Sequence, residues 1–155
     1  MDRTNIFAPN LHYDDADPEG YRAGMDRFGK RIGASRIGGS VYELPAGQSL
    51  CPYHYELGDE EWLVVISGRP TIRHPGGEDV LEPGDTVCFP EGPDGAHKIT
   101  NATEEPVRVL MLSTLRMPAI AIYPDSDKVG VFPGHDLPSG LYRRGDAVEY
   151  FDGEV

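Results

Sequence analysis

His54-Tyr55-Glu56-Leu57-Gly58-Asp59-Glu60-Glu61-Trp62-Leu63-Val64-Val65-Ile66-Ser67-Gly68 is the stretch from which the fold is read. His54 and Glu56 are two residues apart, so on a strand both side chains leave by the same face. Leu57-Gly58-Asp59-Glu60 makes a short polar turn. Glu61 then opens the apolar run Trp62 to Ile66, which Ser67-Gly68 ends. A hairpin of this kind lays its second strand beside the first, and it predicts that His54, Glu56 and Glu61 meet in one small volume.

Outward from this hairpin, strand-length runs recur between Gly/Pro turns: Ser40–Leu44, Ser49–Glu56, Thr71–His74, Glu78–Leu81, Thr86–Phe89, Ala96–Ile99, Val107–Ser113 and Ala119–Tyr123. In Val107–Ser113 the alternating residues Val107, Val109, Met111 and Leu110, Leu112 make both faces mostly apolar, which predicts a central strand. The 19 glycines and 14 prolines suit short strands and tight turns and oppose a helical bundle. An all-β sandwich or barrel follows. Residues 1–34 read as a polar N-terminal arm with one short strand, 35–116 as the core, and 117–155 as a last strand and an irregular tail. Tyr142, Tyr150 and Phe151 of that tail are expected to pack back on the core. Exposed edges are templates for pairing, so a homodimer through the arm or an edge strand is expected.

The chain is long enough, at 155 residues, to bury one core without disulfides. A net charge of −12 argues against nucleic acid and anionic membranes as partners. Met1 to Phe7 lacks the apolar run of a signal peptide, and no stretch is long enough to cross a bilayer. A cytoplasmic protein is therefore expected, with Cys51 and Cys88 reduced. Asn101-Ala102-Thr103 has the form of a glycosylation sequon but carries no weight without secretion. Arg144-Gly145-Asp146 reads as a turn.

A second stretch completes the chemistry. Gly84, Pro90, Gly92, His97 and Asn101 follow one another after the hairpin, just as Gly47, His54, Glu61 and Gly68 frame the hairpin itself. The two sets resemble the paired sequence motifs of the cupin superfamily, over residues 40 to 113. The resemblance implies an antiparallel jelly-roll β-barrel with a divalent metal site in its mouth, held by His54, Glu61 and His97. Two departures stand out. Glu56 occupies the place of the second histidine of the family's His-x-His pair, and the loop through Pro93-Asp94-Gly95 is two residues longer than the family pattern. Glu56 is either a fourth ligand, a group orienting a bound water, or a solvated carboxylate beside Asp59 and Glu60. Two carboxylates lower the Lewis acidity of a divalent ion, favouring Fe²⁺ or Mn²⁺, with Zn²⁺ and Ni²⁺ as alternatives.

Beside these stand plainer assignments. His12, His74 and His135 lack ligand spacing and read as surface or hydrogen-bonded. Strand parity turns Cys51, Tyr53 and Tyr55 away from His54, and one of Cys88 and Phe89 faces inward. His97 follows a loop and is expected outside the main core. Lys128, Arg143 and Arg144 read as solvated tail charges. The function expected is a metal-binding cupin acting on a small molecule as an oxygenase or isomerase, against the alternative of a non-catalytic small-molecule or metal-binding module.

Overall fold

The computed structural model describes residues 1–134 and 136–155, so His135 lies outside the described residues. The strands, in chain order, are β1 (Gly24–Arg27), β2 (Ile37–Leu44), β3 (Tyr55–Leu57), β4 (Glu61–Ser67), β5 (Thr71–His74) and β6 (Gly77–Val80). They continue with β7 (Thr86–Phe89), β8 (Lys98–Thr100), β9 (Val107–Thr114), β10 (Ala119–Tyr123), β11 (Lys128–Phe132) and β12 (Gly140–Arg143). Helical structure among the described residues is confined to single 3₁₀ turns, one of which is Arg144–Asp146. None is long and apolar enough to cross a membrane.

All strand pairings are antiparallel and form three sheets, ordered β1-β2-β9-β4-β7, β12-β11-β10-β3 and β6-β5-β8. β9 is the middle strand of the largest sheet, as its two apolar faces require. Val107, Val109 and Met111 point into the core with Leu44, Leu63, Val65, Ile72, Phe89 and Ile99. Period-two alternation then fixes β4. Leu63 and Val65 are buried, Trp62 is exposed, and Glu61 continues the inward face. Of the pair Cys88 and Phe89, Phe89 is the buried one.

The arm is tied to its own sheet. β1 pairs with β2, the buried Asp26 carboxylate takes the Arg31 guanidinium at 2.8 Å, and Asn10 N–H donates to it at 3.0 Å. Asn101 is equally well anchored: its Nδ2 donates to the Leu44 and Glu105 carbonyls at 2.9 Å each, and its Oδ1 accepts from the Thr103 backbone and hydroxyl. Asn101→Ala therefore takes this donor from the buried Leu44 carbonyl and leaves the Glu105 carbonyl with the Thr103 hydroxyl alone. It is expected to lower unfolding free energy by about 3 kcal/mol in a urea titration, with the m-value unchanged. A loss below about 1 kcal/mol would show that the loop satisfies those carbonyls without it.

Three sequence expectations need correction. Ser49–Glu56 is not one strand: Ser49 and His54 make isolated bridges to Thr100 and His97, and β3 starts only at Tyr55. Pro52 has no N–H to give the ladder, so pairing breaks there. The tail is not irregular, because β11 and β12 extend the hairpin begun by β10. Its aromatics do not pack back, since Tyr142, Tyr150 and Phe151 are 57%, 87% and 76% exposed. Tyr150 and Phe151 instead meet edge to face at 4.7 Å, in a segment whose Asp146, Glu149, Asp152 and Glu154 resist burial.

Candidate metal centre

His54 and His97 face one another across an antiparallel bridge, each backbone N–H donating to the other's carbonyl, at 3.1 and 2.8 Å. Each ring is oriented by a carbonyl two residues upstream. Nδ1 of His54 lies 3.0 Å from the Pro52 oxygen, and Nδ1 of His97 lies 2.9 Å from the Gly95 oxygen. A carbonyl only accepts, so in the neutral rings Nδ1 carries the proton and Nε2 presents a bare lone pair. Burial keeps the rings neutral, lowering His54 and pushing His97 down to about 4, with the neighbouring His54 adding to the latter.

Glu61 sits between the two rings. Its Oε2 is 3.8 Å from His54 Nε2 and 3.6 Å from His97 Nε2, and Glu56 Oε1 is 3.6 Å from His54 Nε2. These separations are too long for hydrogen bonds. Glu61 Oε2 and His97 Nε2 are buried with no hydrogen-bond partner at all, an uncommon state for buried polar atoms. Neighbouring ligands about 2.1 Å from a divalent ion lie roughly 3.0–3.6 Å apart, close to what is seen. The donor set thus fits a divalent ion. Potential ligand atoms within 4.8 Å of one another fall into two overlapping groups, His54/Glu56/Glu61 and Cys51/His54/His97.

Both carboxyls titrate high, at about 7. Burial is the main cause for each; Glu61 and Asp59 add to the shift of Glu56, and Asp59 to that of Glu61. A metal must displace protons held there. The metal-free fold also gains from the protonated carboxyls at low pH and loses that gain as pH rises through about 7. Adding Mn²⁺ is therefore expected to raise the melting temperature much more at pH 8 than at pH 6, in paired thermal melts with and without the ion. An equal rise at both pH values would contradict this.

Two sequence expectations fail at the centre. Cys51, expected on the opposite face, has its Sγ 3.6 Å from His54 Nδ1, because the break at Pro52 removes the parity argument. Burial raises its pKa, so it remains a thiol. His97, expected outside the core, is 1% exposed and stacks on Phe89 at 3.7 Å. The longer loop explains how it gets there. Gly92 N–H donates to the Glu56 carbonyl at 2.8 Å, and the 3₁₀ turn Pro93–Gly95 ends in the carbonyl that orients His97. A Cβ on Gly95 would lie 1.8 Å from the Pro90 oxygen, so only glycine permits this turn.

Other residues fall largely as read. His74 Nε2 is 3.0 Å from Asp79, and His12 bridges to Met25. Tyr53 lies under the Arg73 guanidinium, 3.9 Å from its ring centroid. Arg144 pairs with Asp127, while Lys128 sits 5.4 Å from the Tyr123 ring. Tyr123 itself stacks on His54 at 5.8 Å, a contact with no sequence signal. It joins Tyr42, Cys51 and Met111 in the wall of a cleft of about 680 Å³ that opens onto His54, Glu61 and His97.

Antiparallel sheets carrying two inward histidines and a carboxylate beneath a cleft define the class, and residues 40–113 match the family model described as Cupin domain. Through that stretch the chain belongs to the cupin superfamily. Among solved structures it is similar to a sugar phosphate isomerase from a cupin superfamily of Silicibacter pomeroyi, with 23% identity over 97% of this chain and 98% of that one, and a TM-score of 0.80. A protein of Acidithiobacillus ferrooxidans, provisionally assigned as a sugar phosphate isomerase, gives 22% identity over 93% and 91%, with a TM-score of 0.81. The polyketide cyclase RemF of Streptomyces resistomycificus gives 19% over 77% and 83%, with a TM-score of 0.61. At these identities the likeness is one of fold. No curated protein matches the chain in sequence.

Proposed function

We propose that this cupin is a metal-dependent enzyme of isomerase type, moving a proton on a small oxygenated molecule bound in the cleft. His54 Nε2, Glu61 and His97 Nε2 would hold an ion of the Fe²⁺ or Mn²⁺ class. The observation that carries the reading is the pair of buried, partnerless atoms Glu61 Oε2 and His97 Nε2. A divalent ion there polarises a carbonyl or hydroxyl oxygen of the bound molecule.

The chain's own residues supply the rest. The Pro52 and Gly95 carbonyls hold both imidazoles in the tautomer a metal needs. Glu56 Oε1 stands 3.6 Å from His54 Nε2, beside the proposed ion, where a carboxylate that is not a ligand can take up a proton and return it. That favours proton transfer over oxygen chemistry, and the names of the two similar isomerase structures point the same way. The substitution of Glu56 for imidazole also favours the alternative, a binding module without turnover, because two carboxylates neutralise most of the ion's charge.

The same reading takes residues 35–116 as a closed jelly-roll barrel flanked by the arm (1–34) and the tail (117–155). It takes the protein as a homodimer, supported by the exposed Trp62 and Ile37 beside Leu112 on the outer face of the largest sheet.

Protein purified without chelator or nickel should carry one divalent ion per chain. In D₂O, NMR over a panel of aldoses, ketoses and their phosphates should show deuterium entering carbon next to a carbonyl. Metal binding with no exchange on any member would support the binding module. A folded protein that takes up no divalent ion at pH 8 would overturn both.

A further inference from the structure

We infer that the substrate of this centre is an anion, and that Arg27, backed by Lys30, binds its phosphate or carboxylate group at the far end of the cleft from the metal ligands. The inference rests on the functional reading above and adds the substrate class.

The strand geometry places Arg27. In β1 the residues alternate, with Gly24 and Asp26 buried on one side and Met25 and Arg27 on the cleft side. Asp26, the adjacent acid, is thereby turned away and taken by Arg31. Arg27 lies opposite Ser40 on β2, Ser40 opposite Met111 on β9, and Met111 opposite Leu63 on β4. Glu61 is one inward position further along β4. Arg27 and Glu61 are thus three strand spacings and two residues apart across one face, about 16 Å between backbones. Both side chains reach inward, which leaves a span suited to a chain of five or six carbons.

The cleft continues past the metal ligands on this side. A second hollow of about 520 Å³ shares Arg27, Tyr42, Glu61 and Met111 with the first and adds Lys30 and Ser113. Arg27 is the cation common to both.

Charge accounting and position together narrow the choice: of the cations without an ion pair among the described residues, Arg27 and Lys30 are the two that line these hollows. The chain has 26 acidic residues against 14 basic ones, and Arg22, Arg31, Arg69, Arg73, Arg108 and Arg144 each sit against a carboxylate. Among the described residues Arg27 makes no ion pair, and its Nε contacts only the Met25 sulfur, at 3.1 Å. Asp17 also lines the first cleft and forms no ion pair with Arg27. An unpaired guanidinium in so acidic a protein, facing a carboxylate-bearing site, is a ready fork for an oxyanion. It also offsets the repulsion that Glu56 and Glu61 exert on an anionic substrate.

Isothermal titration of the metal-loaded protein tests this with three probes: gluconate, which has one acidic end; 6-phosphogluconate, which adds a phosphate; and glucarate, which adds a carboxylate. 6-Phosphogluconate or glucarate should bind at least tenfold more tightly than gluconate, and the tighter of the two identifies the anion. Arg27→Ala should erase that margin, Lys30→Ala should reduce it, and both should leave metal content unchanged. Equal affinity for all three probes, or a margin that survives Arg27→Ala, overturns the anion site while leaving the metal reading intact. A protein that cannot be loaded with metal at pH 8 overturns both.

Discussion

Glu61→Gln is expected to strip the divalent ion from the protein, lowering affinity about 100-fold or more in a chelator competition. The carboxylate lies between the two imidazoles, with Oε2 within 3.8 Å of both Nε2 atoms and no other partner. A neutral amide of the same shape keeps the packing and removes the charge. The metal-free variant should also melt no lower than wild type at pH 8. Burial raises the Glu61 pKa to about 7, so its carboxyl contributes stability below the ordinary carboxylate range and loses it as pH climbs through about 7. An amide has nothing to lose there. Full metal content in Glu61→Gln would sink the proposed centre.

His97→Ala should lose the metal as well, but it is the less clean substitution. The ring is buried against Phe89, and its removal opens a cavity costing about 2–4 kcal/mol by the usual large-to-small measure.

Glu56→Gln should separate proton transfer from metal binding. The variant is expected to retain its ion while deuterium exchange on the responsive substrate falls about 100-fold or more, the usual scale for removing a general acid–base group. Glu56 is the only one of the four acidic and imidazole groups on β3, and the Gly92 N–H to its carbonyl holds that strand at the mouth of the long loop. Its side chain approaches His54 alone among the imidazoles, whereas Glu61 approaches both. Loss of the metal with Glu56→Gln would make it a ligand instead. Retention of both metal and exchange would remove it from the chemistry.

Much of this arrangement follows from local pattern alone. Period-two alternation gave β4 and β9 their inward faces, and Glu61 its direction, because a continuous ladder leaves a side chain only two sides to choose from. Turn residues mark most strand ends, and the resemblance to the paired cupin motifs is what implies a common site for His54, Glu61 and His97. Tertiary structure decided the rest, wherever the ladder is interrupted or a contact is made between segments far apart. Pro52 breaks the pairing that parity needs, so Cys51 turns toward His54. The tight Gly92–Gly95 turn carries His97 into the core wall and supplies the carbonyl that aims its ring. Tyr123 reaches His54 only because β10 pairs with β3, and Arg27 reaches the cleft only because the arm folds onto β2. Such placements depend on which segments share a hydrogen-bond ladder. That depends on the burial and pairing of the whole chain, which no local stretch of residues contains.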